Sequence, residues 1–132
     1  MNEGITHENP LPRDCRLSSQ RHPPDLLLLP AGTGSYRLPK VLSGKSLNIL
    51  LSHAHLDHTA GLTFLLNVHA NHPLEQIQIW GESDKLAAVR ERLFHPLIFP
   101  APLDACWNPI DEAAEFVIGE TKVSWRRQDH PG

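Results

Sequence analysis

Residues 47 to 58 read LNILLSHAHLDH, an apolar run that leads directly into three histidines and one aspartate. The stretch from Leu47 to Ser52 is typical of a strand buried on both faces, as strands of parallel sheets are. Open α/β sheets bind their ligands at the carboxyl ends of such strands. The sequence therefore predicts an α/β fold with a functional site at the end of this strand.

The residues after this strand combine imidazole and carboxylate groups at a spacing that suits metal binding. Residues i and i+2 of an extended segment point to the same side, so His53 and His55 can share one ion. Asp57 and His58 lie where the chain turns, and they can face a second ion beside the first. This mixture of nitrogen and oxygen ligands favours zinc, or iron or manganese, over calcium and magnesium. A solvated loop that happens to be rich in histidine is the alternative.

Short apolar and amphipathic segments around the histidines predict alternating strands and helices. The expected elements are strands at 25–29 and 77–80, a helical turn after Pro39, helices from residue 59 and over 83–92, and a hairpin of residues 116–118 and 123–125. The prolines between Phe94 and Pro109 predict an irregular loop. The polar, Pro-rich residues 1–24 predict an irregular arm, and residues 25–132 a single domain.

The charge balance and the absence of long apolar runs limit the function classes. The chain has 12 Lys and Arg against 15 Asp and Glu, a net charge of −3, which provides no extended surface for nucleic acid. No apolar run approaches the roughly 20 residues of a membrane span, and the first residues do not resemble a secretory signal. We therefore expect a cytoplasmic protein without membrane contact. Cys15 and Cys106 lie far apart in sequence, and we expect reduced thiols.

The segment LSHAHLDHTAGL, residues 51 to 62, resembles the His-x-His-x-Asp-His signature of the metallo-β-lactamase superfamily. Three further segments, at 27–38, 97–103 and 128–132, resemble the branch of that superfamily that includes ribonuclease Z and the cyclic-phosphate phosphodiesterases. The resemblance covers most of residues 26 to 132. It implies a partial αβ/βα metallo-β-lactamase sandwich, the N-terminal half of the full fold, and zinc-dependent hydrolysis of a small phosphodiester or ester.

The resemblance also implies a role for each matching residue. His53, His55 and His130 would hold a first zinc, while Asp57 and His58 would begin a second site and Asp57 would orient the attacking water. In the family, a bridging aspartate and a final histidine follow further along, whereas this sequence stops at Gly132. We therefore expect a well-held first ion and a weak second one.

Two alternatives to a complete enzyme follow from these differences from the family pattern. In the first, the chain is a truncated, non-catalytic zinc-binding remnant, an interpretation that Pro30 favours because the family usually has an acidic residue there. Otherwise it is a partner half, whose site is completed by another chain, for example in a homo-oligomer. Arg126 and Arg127 either meet an anionic substrate or lie at an exposed strand end.

Overall fold

The strand predicted before the histidines is strand β2, Ser46–Leu50, in the computed structural model, which describes residues 25–28, 33–112 and 114–129. It is an inner strand of a four-stranded parallel sheet whose order is β1-β2-β3-β4. The other strands are β1 (Asp25–Leu28), β3 (Gln76–Gly81) and β4 (Cys106–Pro109). The carboxyl ends of all four strands therefore meet at one edge of this sheet.

Short helical segments connect the parallel strands, as crossovers between parallel strands require. The α-helices are α1 (Leu56–Thr59), α2 (Leu65–Asn71) and α3 (Ser83–Ala88). Two 3₁₀ segments, Thr33–Lys40 and Ala60–Phe64, precede and follow α1, and α3 continues into a π-helical turn at Val89–Leu93. The described residues thus form a mixed α/β fold with parallel and antiparallel strands.

One face of the sheet forms the apolar core together with these helical segments. Because successive strand side chains point to opposite faces, Leu47 and Ile49 share this face, as do Ile77 and Ile79 in the neighbouring strand. They pack with buried side chains of the helical segments and loops, namely Leu38, Leu42, Leu62, Leu65, Val68, Leu74, Leu86 and Val89. The core thereby fixes β2, and with it the start of the histidine segment.

The opposite face of the sheet carries polar and aromatic side chains. Asn48 and Gln78 are 2% and 1% exposed there, and the Trp80 Nε1 donates a hydrogen bond of 3.1 Å to Asn48 Oδ1. Trp80 also stacks on Phe116, with ring centroids 5.0 Å apart. Phe116 belongs to the antiparallel hairpin of β5 (Glu115–Ile118) and β6 (Thr121–Ser124), whose turn contains Gly119 at φ 58°.

Three local expectations were wrong. The Pro-rich segment before Pro109 contains strand β4, because its last proline ends an edge strand, where a missing N–H is tolerated. Helix starts at Leu56 rather than at Thr59, so the first helical turn contains Asp57 and His58. The 3₁₀ segment lies largely before Pro39 instead of after it.

Two further observations concern Cys106 and membranes. Cys106 is disulfide-bonded, which overturns the expectation of a thiol there; its partner lies outside the described residues. Distance along the sequence does not limit which segments a fold brings within bonding distance.

None of the helices in the described ranges has the length and apolar character needed to cross a membrane. The predicted arm, residues 1–24, and Pro30 lie outside the described residues.

Candidate metal centre

The histidine segment changes from extended to helical backbone as it leaves the sheet. His53 and His55 lie in the extended stretch between β2 and α1, and His55 itself has φ −59° and ψ 142°. The backbone N–H of His58 then donates to the carbonyl of His55 at 2.9 Å, and the Thr59 hydroxyl donates to the same carbonyl at 3.2 Å. These two bonds turn the chain back, so that the residues of α1 face the extended stretch.

The turn brings all three imidazole rings together. The ring centroid of His53 lies 4.9 Å from that of His55 and 4.1 Å from that of His58. Two imidazoles on one zinc, with Zn–N distances of about 2.0–2.1 Å, have ring centroids about 5 Å apart. The first pair already has this separation, and the second needs to open by about 1 Å. Ser52 Oγ lies 3.0 Å from His53 Nδ1 and restrains that ring.

Asp57 places a carboxylate beside the third ring. Its Oδ2 lies 3.2 Å from Nε2 of His58, while the Asp57 side chain is 77% exposed. A separation of 3.2 Å suits a hydrogen bond, and it also suits two atoms that share one ion at about 2.0–2.2 Å. The arrangement is therefore compatible with the predicted second site.

His58 carries a buried ring nitrogen whose hydrogen-bonding capacity is unused. Its Nδ1 is shielded from solvent, and no group in the described part of the chain contacts it with hydrogen-bond geometry. Leaving such a buried polar atom unsatisfied costs about 1–3 kcal/mol. A metal ion near the three rings is one kind of partner that removes this cost, because a neutral imidazole nitrogen is a good metal ligand.

The structure brings together four of the five predicted ligands, and the fifth, His130, lies outside the described residues. Within 25–28, 33–112 and 114–129, no group of three or more His, Cys, Asp or Glu side chains is arranged to hold a metal ion. Metal binding by His53, His55 and His58 thus requires a rearrangement of their side chains.

A second polar cluster, which the sequence analysis missed, follows the next strand of the sheet. Glu82 comes directly after β3 and is only 7% exposed, and its carboxylate binds Lys85 Nζ and the Arg127 guanidinium. The hydrogen bond from Lys85, reinforced by Arg127, holds the pKa of Glu82 below its ordinary value despite burial. The one sequence signal for Glu82 is its place immediately after an apolar strand, the same signal that marks the histidines.

Asp111 joins this edge of the sheet from the segment after β4. Its carboxylate accepts hydrogen bonds from the Ser83 backbone N–H at 2.9 Å and from the Ser83 hydroxyl at 3.1 Å. The bond from that N–H lowers the pKa of Asp111. Asp111 thereby caps the start of α3, where N–H groups lack partners within the helix.

Three other histidines have local structural roles. His69 Nδ1 accepts a hydrogen bond from the Leu74 N–H, and His72 Nε2 donates to the Gly44 carbonyl at 2.6 Å. His95 Nδ1 accepts from the Leu97 N–H at 3.2 Å. These contacts engage each ring locally, and His95, which is exposed, is a suitable control position.

No protein-family model, curated protein or solved structure matches the chain. The candidate centre is therefore argued from its own geometry: three imidazoles and a carboxylate that meet at the carboxyl edge of a parallel sheet.

Proposed function

We propose that the chain is a zinc-dependent hydrolase of the metallo-β-lactamase fold that acts on a phosphodiester. In this proposal His53, His55 and His130 hold the first ion, and Asp57 and His58 contribute to a weaker second site. Iron or manganese would suit the same ligands. The sequence signature and the position of the cluster at the end of β2 support the proposal independently, since strand ends of this kind are where α/β sheets place ligands.

The observation that carries the proposal is the convergence of the three rings around His53. The ring centroids of His55 and His58 lie 4.9 and 4.1 Å from that of His53, in edge-on and tilted geometry, and His58 keeps a buried Nδ1 without a hydrogen-bond partner. A cation beside these rings would give the Nδ1 of His58 a partner. The buried Nδ1 of His58 favours this interpretation over a solvated loop, in which a ring nitrogen can bind water.

The residues of the cluster divide the chemical tasks between them. Zinc bound there would supply a Lewis acid that activates water at neutral pH and draws charge from an ester oxygen. Asp57 is exposed, so its second carboxylate oxygen can accept a hydrogen bond from an attacking water and hold it in line with the substrate. Ser52 and the turn at His55 keep the first two rings in place.

The architecture around the site supports the finer part of the proposal, an αβ/βα sandwich of which this chain forms the N-terminal half. Helical segments cover one face of the parallel sheet, and the β5–β6 hairpin contacts the other through Phe116. A second sheet placed against that face would begin with this hairpin.

Metal titration and hydrolysis of a generic substrate test the proposal together. The metal-free full chain is titrated with Co²⁺, whose visible absorption reports ligand number, and hydrolysis of bis(4-nitrophenyl) phosphate is followed with Zn²⁺ present. The variants are His55→Ala and, as a matched exposed control, His95→Ala. We expect one tightly bound ion, a second that is weakly bound, and Zn²⁺-dependent hydrolysis that is lost in His55→Ala but retained in His95→Ala.

Different results select different alternatives. Co²⁺ binding without hydrolysis supports the non-catalytic zinc-binding form, and activity that appears only in a mixed or homo-oligomer supports the partner half. Equal Co²⁺ binding by the wild type and His55→Ala contradicts the proposed site. Two tightly retained ions on a monomer contradict the weak second site.

A further inference from the structure

The β5–β6 hairpin is a small sheet of its own. Within the described ranges, its two strands pair with each other and with no strand of the parallel sheet. Most of its side chains are exposed, including Val117 at 58%, whereas Ile118 is 4% exposed. An isolated two-stranded hairpin is at best marginally stable in water. The hairpin therefore depends on side-chain contacts with the rest of the fold to keep its structure.

Two such contacts join the hairpin and the segment after it to the third strand of the parallel sheet. The Phe116 ring stacks on that of Trp80, with centroids 5.0 Å apart and an angle of 14° between the ring planes. After β6, the Nε and Nη2 atoms of Arg127 contact the Glu82 Oε1 at 2.6 and 2.5 Å. Both contacts are made by side chains, so they can break while the strands of the parallel sheet remain paired.

The two chain ends of the hairpin are attached near the start of α3 in different ways. Before the hairpin, the Ile110 N–H continues the pairing of β4 with a hydrogen bond of 3.0 Å to the Gly81 carbonyl, and Asp111 accepts a bond from the Ser83 N–H. After the hairpin, the attachment is the long side chain of Arg127, which is 69% exposed. The first end is thus fixed to the sheet, whereas the second is held by a contact that solvent can reach.

We propose that the β5–β6 hairpin is a flap that opens about its β4 end, with the ion pair of Arg127 and Glu82 as its latch. Opening uncovers Trp80 and leaves the parallel sheet intact. Glu82 suits this role because Lys85 also binds its carboxylate, so release of Arg127 leaves no unpaired buried charge. Neither interpretation of Arg127 from the sequence included this internal partner. The opening does not depend on the proposed hydrolysis.

Hydrogen exchange of the full chain, followed by NMR as a function of urea concentration, tests the flap. The amides of residues 115–118 and 121–124 are compared with those of β2 and β3, residues 46–50 and 76–81. Amides that exchange by local opening are less protected than those that need global unfolding, and they respond less to denaturant because less surface is exposed. We expect the hairpin amides to behave in this way, while remaining protected relative to an unstructured chain.

Four variants test the contacts that keep the flap closed. Arg127→Gln should raise the exchange rates of the hairpin amides about threefold, a modest effect because the arginine is largely exposed, and Phe116→Val should raise them about tenfold. The matched controls Arg126→Gln and Val117→Thr change exposed neighbours and should leave the rates unchanged. Salt screens exposed charges, so added NaCl should speed exchange of the hairpin in the wild type more than in Arg127→Gln.

The outcomes decide between a flap and a fixed part of the fold. Equal exchange rates and equal urea dependence for the hairpin and for β2 and β3 would show that the hairpin opens only with global unfolding, which overturns the proposal. Hairpin amides without protection in the wild type would show that no closed state is held, and would overturn it as well. If Arg127→Gln exchanges as Arg126→Gln does, with the same response to salt, the ion pair is not the latch.

Discussion

Replacement of Gln78 by methionine should stabilise the protein, although it removes a buried hydrogen bond. Gln78 is 1% exposed, and its Nε2 is buried without a partner in the described part of the chain. Removing that unsatisfied donor is worth about 1–3 kcal/mol. The same change deletes the bond from Asn108 Nδ2 to Gln78 Oε1 at 2.7 Å, worth about 1 kcal/mol, but Asn108 keeps the Cys106 carbonyl at 3.2 Å.

The net expectation is a gain of about 1 kcal/mol in the free energy of unfolding. For a chain of 132 residues, with an unfolding entropy of about 2.1 cal/mol/K per residue, this corresponds to a rise of about 4 °C in melting temperature. Methionine is chosen because it keeps the unbranched shape and length of glutamine. Calorimetry or thermal circular dichroism provides the measurement.

Asn48→Leu is the matched control, because Asn48 is the register partner of Gln78 on the same buried face. Its Oδ1 accepts the hydrogen bond from Trp80, so its loss leaves a donor without an acceptor. That variant should melt several degrees lower, for a loss of about 1–2 kcal/mol. Destabilisation by both changes would refute the reasoning, since it would show that the Gln78 amide is satisfied in solution.

Two further predictions concern the edge of the sheet. The folded pKa of Glu82 is depressed, so Glu82 contributes stability that is present above its unfolded pKa and lost as the pH falls through the folded value. In urea titrations below about pH 4.5, the free energy of unfolding should therefore fall more steeply for the wild type than for Glu82→Gln. Parallel curves for the two proteins would contradict this. Gly81→Ala should lower the free energy of unfolding by about 1 kcal/mol, because the new Cβ would lie 3.2 Å from Leu86 Cδ2 and 3.4 Å from Leu51 Cβ. The control Gly34→Ala, which has open space around it, should leave the stability unchanged or raise it. Equal effects of the two substitutions would rule out the clash at Gly81.

The inner strands and the hairpin follow from local sequence patterns. Continuous apolar runs predict β1 and β2 as strands buried on both faces, and the alternation of residues 77–80 predicts β3. Gly119 between two alternating stretches predicts the β5–β6 turn, and the structure shows the positive φ that favours glycine there. These signals are local, which is why they can be read without knowledge of the fold.

The features that local patterns missed depend on contacts across the chain. Strand β4 is short and follows several prolines. It forms because it pairs with β3, and as an edge strand it has a neighbour on one side only. The pairing of Glu82 with Arg127 joins residues 45 positions apart, and neither residue type indicates the other. For the candidate site, the signature predicts the ligands, whereas the closeness of His58 to His53 depends on a helix that begins three residues earlier than the pattern suggests.

The early start of α1 also determines which side of the histidine cluster is open to solvent. His53 and His58 are half-buried against the sheet edge, whereas His55 and Asp57 are exposed, and Leu56 between them is 66% exposed. Glu82 and its partners occupy the edge on the β3 side. The rings are therefore open to solvent on the side of α1, where Asp57 and Leu56 lie. A helix beginning at Thr59 would have left Asp57 and His58 in extended backbone, where the two side chains point to opposite sides.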